Sequence, residues 1–189
     1  MLHDKQKNGA KFSAAMISNR GFTGRQKRGG YWKIRCLRPD GSVRWTDEIK
    51  NLVVDAGVNY SLDASLSGGT PITSWFIMLT DATPTIAAGD TMASHVGWVE
   101  DQNYDEATRE AFVDGGVSAK SLDNVASVAS FAMNATTTIG GAALTSVNTK
   151  GGTTGTLYAA GAFTGGNKAV DSGDTLQVTA TFTGDDDGV

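Results

Sequence analysis

The sequence is poor in the residue types that form disulfides, metal sites and catalytic dyads. Its 189 residues include one cysteine, Cys36, and two histidines, His3 and His95. A single cysteine forms no internal disulfide, and one Cys with two His supplies too few ligands for zinc. Nucleophilic hydrolases need an imidazole beside the nucleophile, and Ser94 next to His95 is a poor match because chain neighbours seldom point together. We therefore expect neither a metal, nor a cofactor, nor catalysis of these kinds.

Long apolar runs are also lacking. No stretch approaches the roughly 18 consecutive apolar residues of a membrane span, and the basic N-terminus has no apolar block of the secretory type. The sequence thus predicts a protein that is made in the cytoplasm and has no membrane partner. Proline is scarce at 3 and glycine abundant at 24, which is typical of short strands joined by tight turns. This composition favours an all-β fold, and the length of the chain favours one domain.

The net charge of −4 is unevenly distributed. Residues 1–39 hold ten Lys or Arg and one acid, a balance of +9, whereas residues 40–189 hold six and nineteen, a balance of −13. Residues 1–30 carry only scattered apolar side chains, so we predict an extended basic arm that becomes ordered on binding, followed by a globular domain over 31–189. Partner binding is assigned to the arm's basic residues Lys5, Lys7, Lys11, Arg20, Arg25, Lys27 and Arg28.

Two partner classes are open to such an arm. Its basic side chains would neutralise nucleic-acid phosphates, with steep salt dependence. However, they are loosely spread, and the charge of the body repels DNA everywhere except along the arm. An acidic surface on another protein or on a sister subunit explains both halves of the charge pattern, and we favour it over nucleic acid.

Regular structure is predicted from Tyr31 onward. Residues 31–37 alternate aromatic or aliphatic side chains with basic ones, the period of a strand with one buried face. Pro39-Asp40-Gly41 then supplies a turn, and residues 43–45 return as the second strand of a hairpin.

One short helix is predicted over residues 56–66, capped by Asp55 and ended by the glycines at 68 and 69. Four apolar residues recur every fourth position and are expected to form its buried face: Val54, Val58, Leu62 and Leu66.

Beyond the helix the pattern predicts strands over 74–80, 125–133, 137–144, 156–163 and 175–182, with 74–80 central because it is almost wholly apolar. Their number and the glycine-pair turns favour a jelly-roll-like β-sandwich. The acidic stretch 92–114 is expected to wrap the outside, with one helical turn near 105–112. Residues 88–92 and 172–176 share the pattern Gly-Asp-Thr, which we interpret as a repeated turn.

Carboxylates are concentrated between residues 100 and 110. They suit general acid and base catalysis or calcium coordination, but the twelve-residue calcium loop with its central glycine is absent. A solvated acidic loop is the favoured interpretation, and no enzyme is expected. The cluster consists of Glu100, Asp101, Asp105, Glu106 and Glu110.

Several blocks resemble a protein encoded among the head genes of short-tailed bacteriophages. They lie within residues 31–182, at 32–34, 39–41, 45, 51–54, 62–63, 75–79, 88–95, 97–98, 151–157 and 173–176. The resemblance implies an auxiliary capsid protein of the virion that decorates or cements the shell. Its expected partners are the major capsid protein and copies of itself, as a homo-oligomer or as sister copies on the shell. It implies a β-sandwich and brings no functional residues.

An alternative is a carbohydrate-binding, tail-associated or fibre-associated virion module. Jelly rolls with exposed aromatic side chains often bind sugars, and Trp98 and Tyr104 are the candidates for stacking on a sugar ring.

Overall fold

The structure of the chain, a computed structural model, describes residues 26–82 and 84–186. Over these residues the chain is mostly β. The strands are β1 (Gln26–Leu37), β2 (Val43–Lys50), β3 (Leu52–Val53), β4 (Trp75–Thr80), β5 (Glu100–Asp101), β6 (Glu110–Phe112), β7 (Ser121–Asp123), β8 (Ala129–Ala132), β9 (Thr137–Ile139), β10 (Gly141–Thr145), β11 (Leu157–Ala162), β12 (Lys168–Val170) and β13 (Thr175–Asp186). The helix α1 (Asp55–Leu62) continues into a π-helical turn, Asp63–Ser67.

The strands form two main antiparallel sheets. In the first sheet the order is β2-β1-β13, and β7 and β8 both pair with β13. In the second sheet the order is β3-β11-β10-β4, and β5 and β6 both pair with β4. A small sheet joins β9 to β12. The predicted all-β sandwich is confirmed, while its jelly-roll connectivity stays a prediction.

The main core lies between the two sheets. Strand β1 alternates buried Trp32, Ile34 and Cys36 with residues on the opposite face, as its period-two sequence predicts. Facing residues of the second sheet, among them Ile77 and Leu79, belong to the same buried cluster. Burying a side chain of this size contributes about 1.5–3 kcal/mol.

A second core covers the other face of the second sheet. Met78 of β4 and Leu157 of β11 pack there against Val54, Met92 and Trp98. Strand β4 is therefore buried on both faces over its last four residues, which confirms its predicted central position and explains its unbroken apolar sequence. None of the helical segments in residues 26–82 and 84–186 has the length and hydropathy of a membrane span.

The predicted hairpin is confirmed. Strands β1 and β2 pair antiparallel, and the turn between them contains Gly41 at φ +82°. The Gly41 amide donates to the carbonyl of Arg38 at 2.8 Å, and the Ser42 amide donates to Asp40 Oδ1 at 2.8 Å. The turn chemistry thus acts as the sequence predicts.

The start of the first strand differs from the prediction. Strand β1 begins at Gln26, so residues 26–30, assigned to the arm, pair with residues 182–186 of β13. Lys27 and Arg28 accordingly lie in the strand. Residues 26–30 lack the alternation of apolar and polar side chains that identifies a strand. They form one because the long β13 offers hydrogen-bond partners for their backbone. The predicted arm residues 1–25 lie outside the described part of the chain.

The helix forms, but its predicted buried face is wrong. Val54 is buried, whereas Val58, Leu62 and Leu66 are 37, 46 and 81% exposed. The buried helical residues are the small Gly57 and Ser61. A Cβ on Gly57 would come within 2.2 Å of the carbonyl oxygen of Tyr158, so only glycine permits this close approach to β11. No side chain caps the helix; Val54, not Asp55, is its N-cap residue.

Other strand boundaries also differ from the predicted ones. The strand predicted over 137–144 is interrupted at Gly140 and becomes β9 and β10, and β8 occupies only part of 125–133. Residues 92–114 run beside β4 and contribute β5 and β6. The helical turn expected near 105–112 is replaced there by β6, because pairing with β4 satisfies its backbone.

Candidate interaction surface

The acidic segment includes a buried ion pair. The Arg109 Nε donates to Glu100 Oε1 at 2.8 Å, and its Nη2 donates to Oε2 at 2.7 Å. Arg109 also donates to the carbonyls of Val147 and Gly152, while the Gly151 amide donates to Glu100 Oε2. This network ties the loop before β11 to the strand pair β4 and β5.

Two other carboxylates of the cluster also accept hydrogen bonds from the chain. Asp101 accepts from the Thr137 hydroxyl at 2.9 Å, and Glu106 accepts from the Ala132 amide at 3.1 Å. Burial and the nearby Glu106 charge raise the pKa of Glu110 above its usual value. No group of three or more His, Cys, Asp or Glu within the described ranges is placed to hold a metal ion. Most of the cluster therefore secures loops to strands, unlike the freely solvated loop expected from the sequence.

His95 is a packed histidine. Its ring stacks on Trp98 with centroids 4.0 Å apart, and its Nδ1 lies 3.0 Å from the carbonyl oxygen of Trp98. Ser94 instead closes a turn with Thr91 through its backbone amide and carbonyl. His95 and Ser94 thus bond to different residues, Trp98 and Thr91 respectively.

The repeated turn is confirmed in its hydrogen bonds. The Asp90 amide donates to the Ala87 carbonyl at 3.1 Å, and the Ala87 amide donates to Asp90 Oδ2 at 3.0 Å. The same pair of bonds joins Asp174 to Asp171, at 3.1 and 2.9 Å. Both aspartates thus close a turn with their own backbone, as the sequence predicts.

Asp174 also contacts the buried thiol of Cys36. The Cys36 thiol donates to Asp174 Oδ2 at 3.5 Å, and Arg44 Nε lies 2.9 Å from the same oxygen. Burial, with the Asp174 charge adding to it, raises the pKa of the Cys36 thiol from 9.0 to about 12. The cysteine is therefore protonated and unreactive at neutral pH.

The aromatic residues expected to stack on a sugar are inside the protein. Trp98 is 3% and Tyr104 is 1% exposed. The Trp98 indole donates to Asp90 Oδ2, and Tyr104 packs against Phe131. Neither ring presents a face to solvent, so this part of the carbohydrate hypothesis is wrong.

The basic residues assigned to partner binding fall into two groups. Lys5, Lys7, Lys11, Arg20 and Arg25 lie outside the described residues, whereas Lys27 and Arg28 belong to β1.

The same strand continues the positive charge across the first sheet. Lys33 and Arg35 are exposed on the face opposite the core, next to Thr46 and Glu48 of β2 in the pairing register. We call this surface the outer face. It consists of six exposed residues, Tyr31, Lys33, Arg35, Thr46, Glu48 and Lys50. It carries three basic residues and one acidic residue in the otherwise acidic body.

The sequence did not lead us to assign Lys33 and Arg35 to the interaction surface. The alternation that identified the strand also contained the signal, because every residue between the buried ones must point to the opposite face. No protein-family model and no curated protein matches the chain.

Proposed function

We propose that the protein is a structural component of a bacteriophage virion that binds the outside of the capsid and cements neighbouring copies of the major capsid protein. One observation carries the proposal. The basic N-terminal sequence leads directly into β1, whose exposed Lys33 and Arg35 extend positive charge over an open sheet face. Together with the resemblance to head-gene proteins, this favours a protein that docks on acidic subunits.

The charge pattern favours one orientation on such a surface. Residues 40–189 carry a balance of −13, so an acidic partner repels most of the body and attracts the segment that includes β1. Complementary charge of this kind guides encounter and suppresses wrong docking more than it adds affinity. Affinity then comes from the contact area. A stable interface buries about 800 Å² of surface on each partner.

The internal bonding of the body suits cementing. The buried Arg109 and Glu100 pair holds the loop before β11 to β5, and the aspartates of the two turns bond to Trp98 and Arg44. A body that is already ordered loses little conformational entropy on docking. A subunit that bridges two or three neighbours adds contacts that must all break before the shell opens.

The proposal is tested by co-sedimentation with capsids from which the protein has been removed. Lys33→Gln/Arg35→Gln removes two charges from the outer face. Exposed charge pairs contribute ~0.2–1 kcal/mol each, which predicts a loss of affinity of about two- to thirtyfold. Removal of residues 1–25 should weaken binding further.

The control is Asn59→Asp/Thr70→Asp, which lowers the net charge equally at exposed positions outside the outer face. It should bind within about twofold of the parent protein. Equal weakening by both double variants would contradict the role of the outer face. Absence of the protein from the heads of purified particles, or its location at a tail or fibre in an image reconstruction, would contradict the capsid role itself.

A further inference from the structure

An aromatic pocket opens where α1 meets the strands β4, β11 and β13. Its walls include the partly exposed rings of Tyr60, Trp75, Tyr158 and Phe182, and its volume is about 170 Å³. A cavity of about 150 Å³ accommodates benzene. The pocket therefore has room for one aromatic ring.

The rings are held in a fixed arrangement. Tyr60 contacts Trp75 edge to face with centroids 5.2 Å apart, Trp75 contacts Tyr158 at 5.3 Å, and Tyr158 contacts Phe182 at 5.6 Å. The Ile72 amide donates to the Tyr60 hydroxyl, and the Tyr158 hydroxyl bonds to Ser61. An occupant thus meets prepared ring faces, which lowers the entropy cost of binding.

A wider groove of about 430 Å³ continues from this pocket and shares Leu122, Tyr158 and Phe182 with it. The groove also includes the basic residues Arg28 and Lys120, and none of the described residues that line the two cavities is acidic. Both basic residues make further contacts within the chain. Positive charge beside an apolar pocket is notable in a chain whose body is strongly acidic.

The polar groups argue against a sugar as the occupant. The hydroxyls of Tyr60, Ser61 and Tyr158 all engage in bonds within the chain. A sugar would bring several hydroxyls that these walls cannot fully satisfy, whereas a phenyl or indole ring needs only contact area.

We infer that this aromatic groove binds an extended acidic peptide segment of a partner protein. One aromatic side chain of that segment enters the pocket, and its carboxylates lie beside Arg28 and Lys120. The inference goes beyond the proposed function, because it concerns a different surface and holds for any acidic partner.

The test mixes the full chain with a nine-residue peptide of Asp, Glu and Gly that has one central Phe. Binding is monitored through the NMR chemical shifts of the protein's amide and indole groups. We expect shifts at Trp75 and Phe182. Affinity should fall about tenfold or more when Phe is replaced by Ala, because the ring supplies the buried apolar area. A peptide with Lys in place of the acidic residues should bind as weakly as the peptide with Ala in place of Phe, or more weakly. Equal binding of acidic and basic peptides would overturn the inference.

Lys120→Glu reverses the charge in the groove, and Arg38→Glu makes the same change at an exposed position of the β1–β2 turn, outside both the groove and the outer face. Only the first should weaken the acidic peptide several-fold, with thermal melts confirming that both variants fold. Equal effects of the two variants would overturn the inference. So would binding that appears only after removal of residues 1–25, concentration-dependent self-association that blocks the peptide, or a glycan bound in its place.

Discussion

Arg109 is completely buried, and its guanidinium reaches four oxygen atoms. Burying a charge is unfavourable unless a partner and hydrogen bonds compensate for the lost water, and here Glu100 and two carbonyls do so. From the sequence, Arg109 was indistinguishable from the surrounding charged residues, because the residues that bond to it lie as far away as Gly152.

Arg109→Met should therefore lower the free energy of unfolding by about 3–5 kcal/mol, because Glu100 would remain buried without its partner. Arg35→Met removes the same charge from an exposed position and should change stability by about 0.5 kcal/mol or less. Urea denaturation monitored by tryptophan fluorescence measures both. Combining Arg109→Met with Glu100→Gln should recover part of the loss, and similar midpoints for the two single variants would contradict the assignment.

Cys36 provides a prediction about reactivity. With a thiol pKa of about 12, the folded protein should not react with a thiol reagent at pH 8, whereas the urea-unfolded chain should react at one site. Because the native state retains this proton longer than the unfolded state does, stability should fall as pH rises above about 9. Rapid labelling of the native protein would contradict the assigned environment.

The helix α1 shows that the spacing of apolar residues does not by itself determine which helix face is buried. Spacing by four correctly predicted a helix but selected the wrong face, because α1 approaches β11 through small residues. Propensity alone favours alanine over glycine in a helix by about 1 kcal/mol. At Gly57, the contact with the Tyr158 carbonyl opposes that preference.

Gly57→Ala should consequently destabilise the protein despite its higher helix propensity, by about 1–3 kcal/mol, since α1 must move off β11. Asn59→Ala, at an exposed position of the same helix, should be neutral or stabilising by a few tenths of a kcal/mol. Thermal unfolding compares the two. A stabilised Gly57→Ala variant would show that α1 is not held this closely.

At the scale of the whole molecule, both main sheets contribute to one core, and β1 and β13 pair along twelve residues near opposite ends of the chain. Neither sheet can keep its inner face buried without the other. The described body should therefore behave as one cooperative unit.

Thermal unfolding should then give a single transition with the same midpoint by far-ultraviolet circular dichroism and by tryptophan fluorescence. The probes sample both sheets, since Trp32 lies in β1 and Trp75 in β4. Two separated midpoints would contradict a shared core.

The sequence by itself determined the all-β class, the first hairpin, the apolar central strand and the two aspartate turns. Each depends on side-chain alternation or turn chemistry within a few residues, which acts wherever the segment lies. It also determined the uneven charge, which depends only on composition along the chain.

The tertiary structure alone decided which helix face is buried, where β1 begins and which carboxylates are bonded. It also assembled the aromatic groove from Tyr60, Trp75, Tyr158 and Phe182, residues on four separate elements. These features depend on contacts between distant segments, and only the register and packing of the sheets determine those contacts.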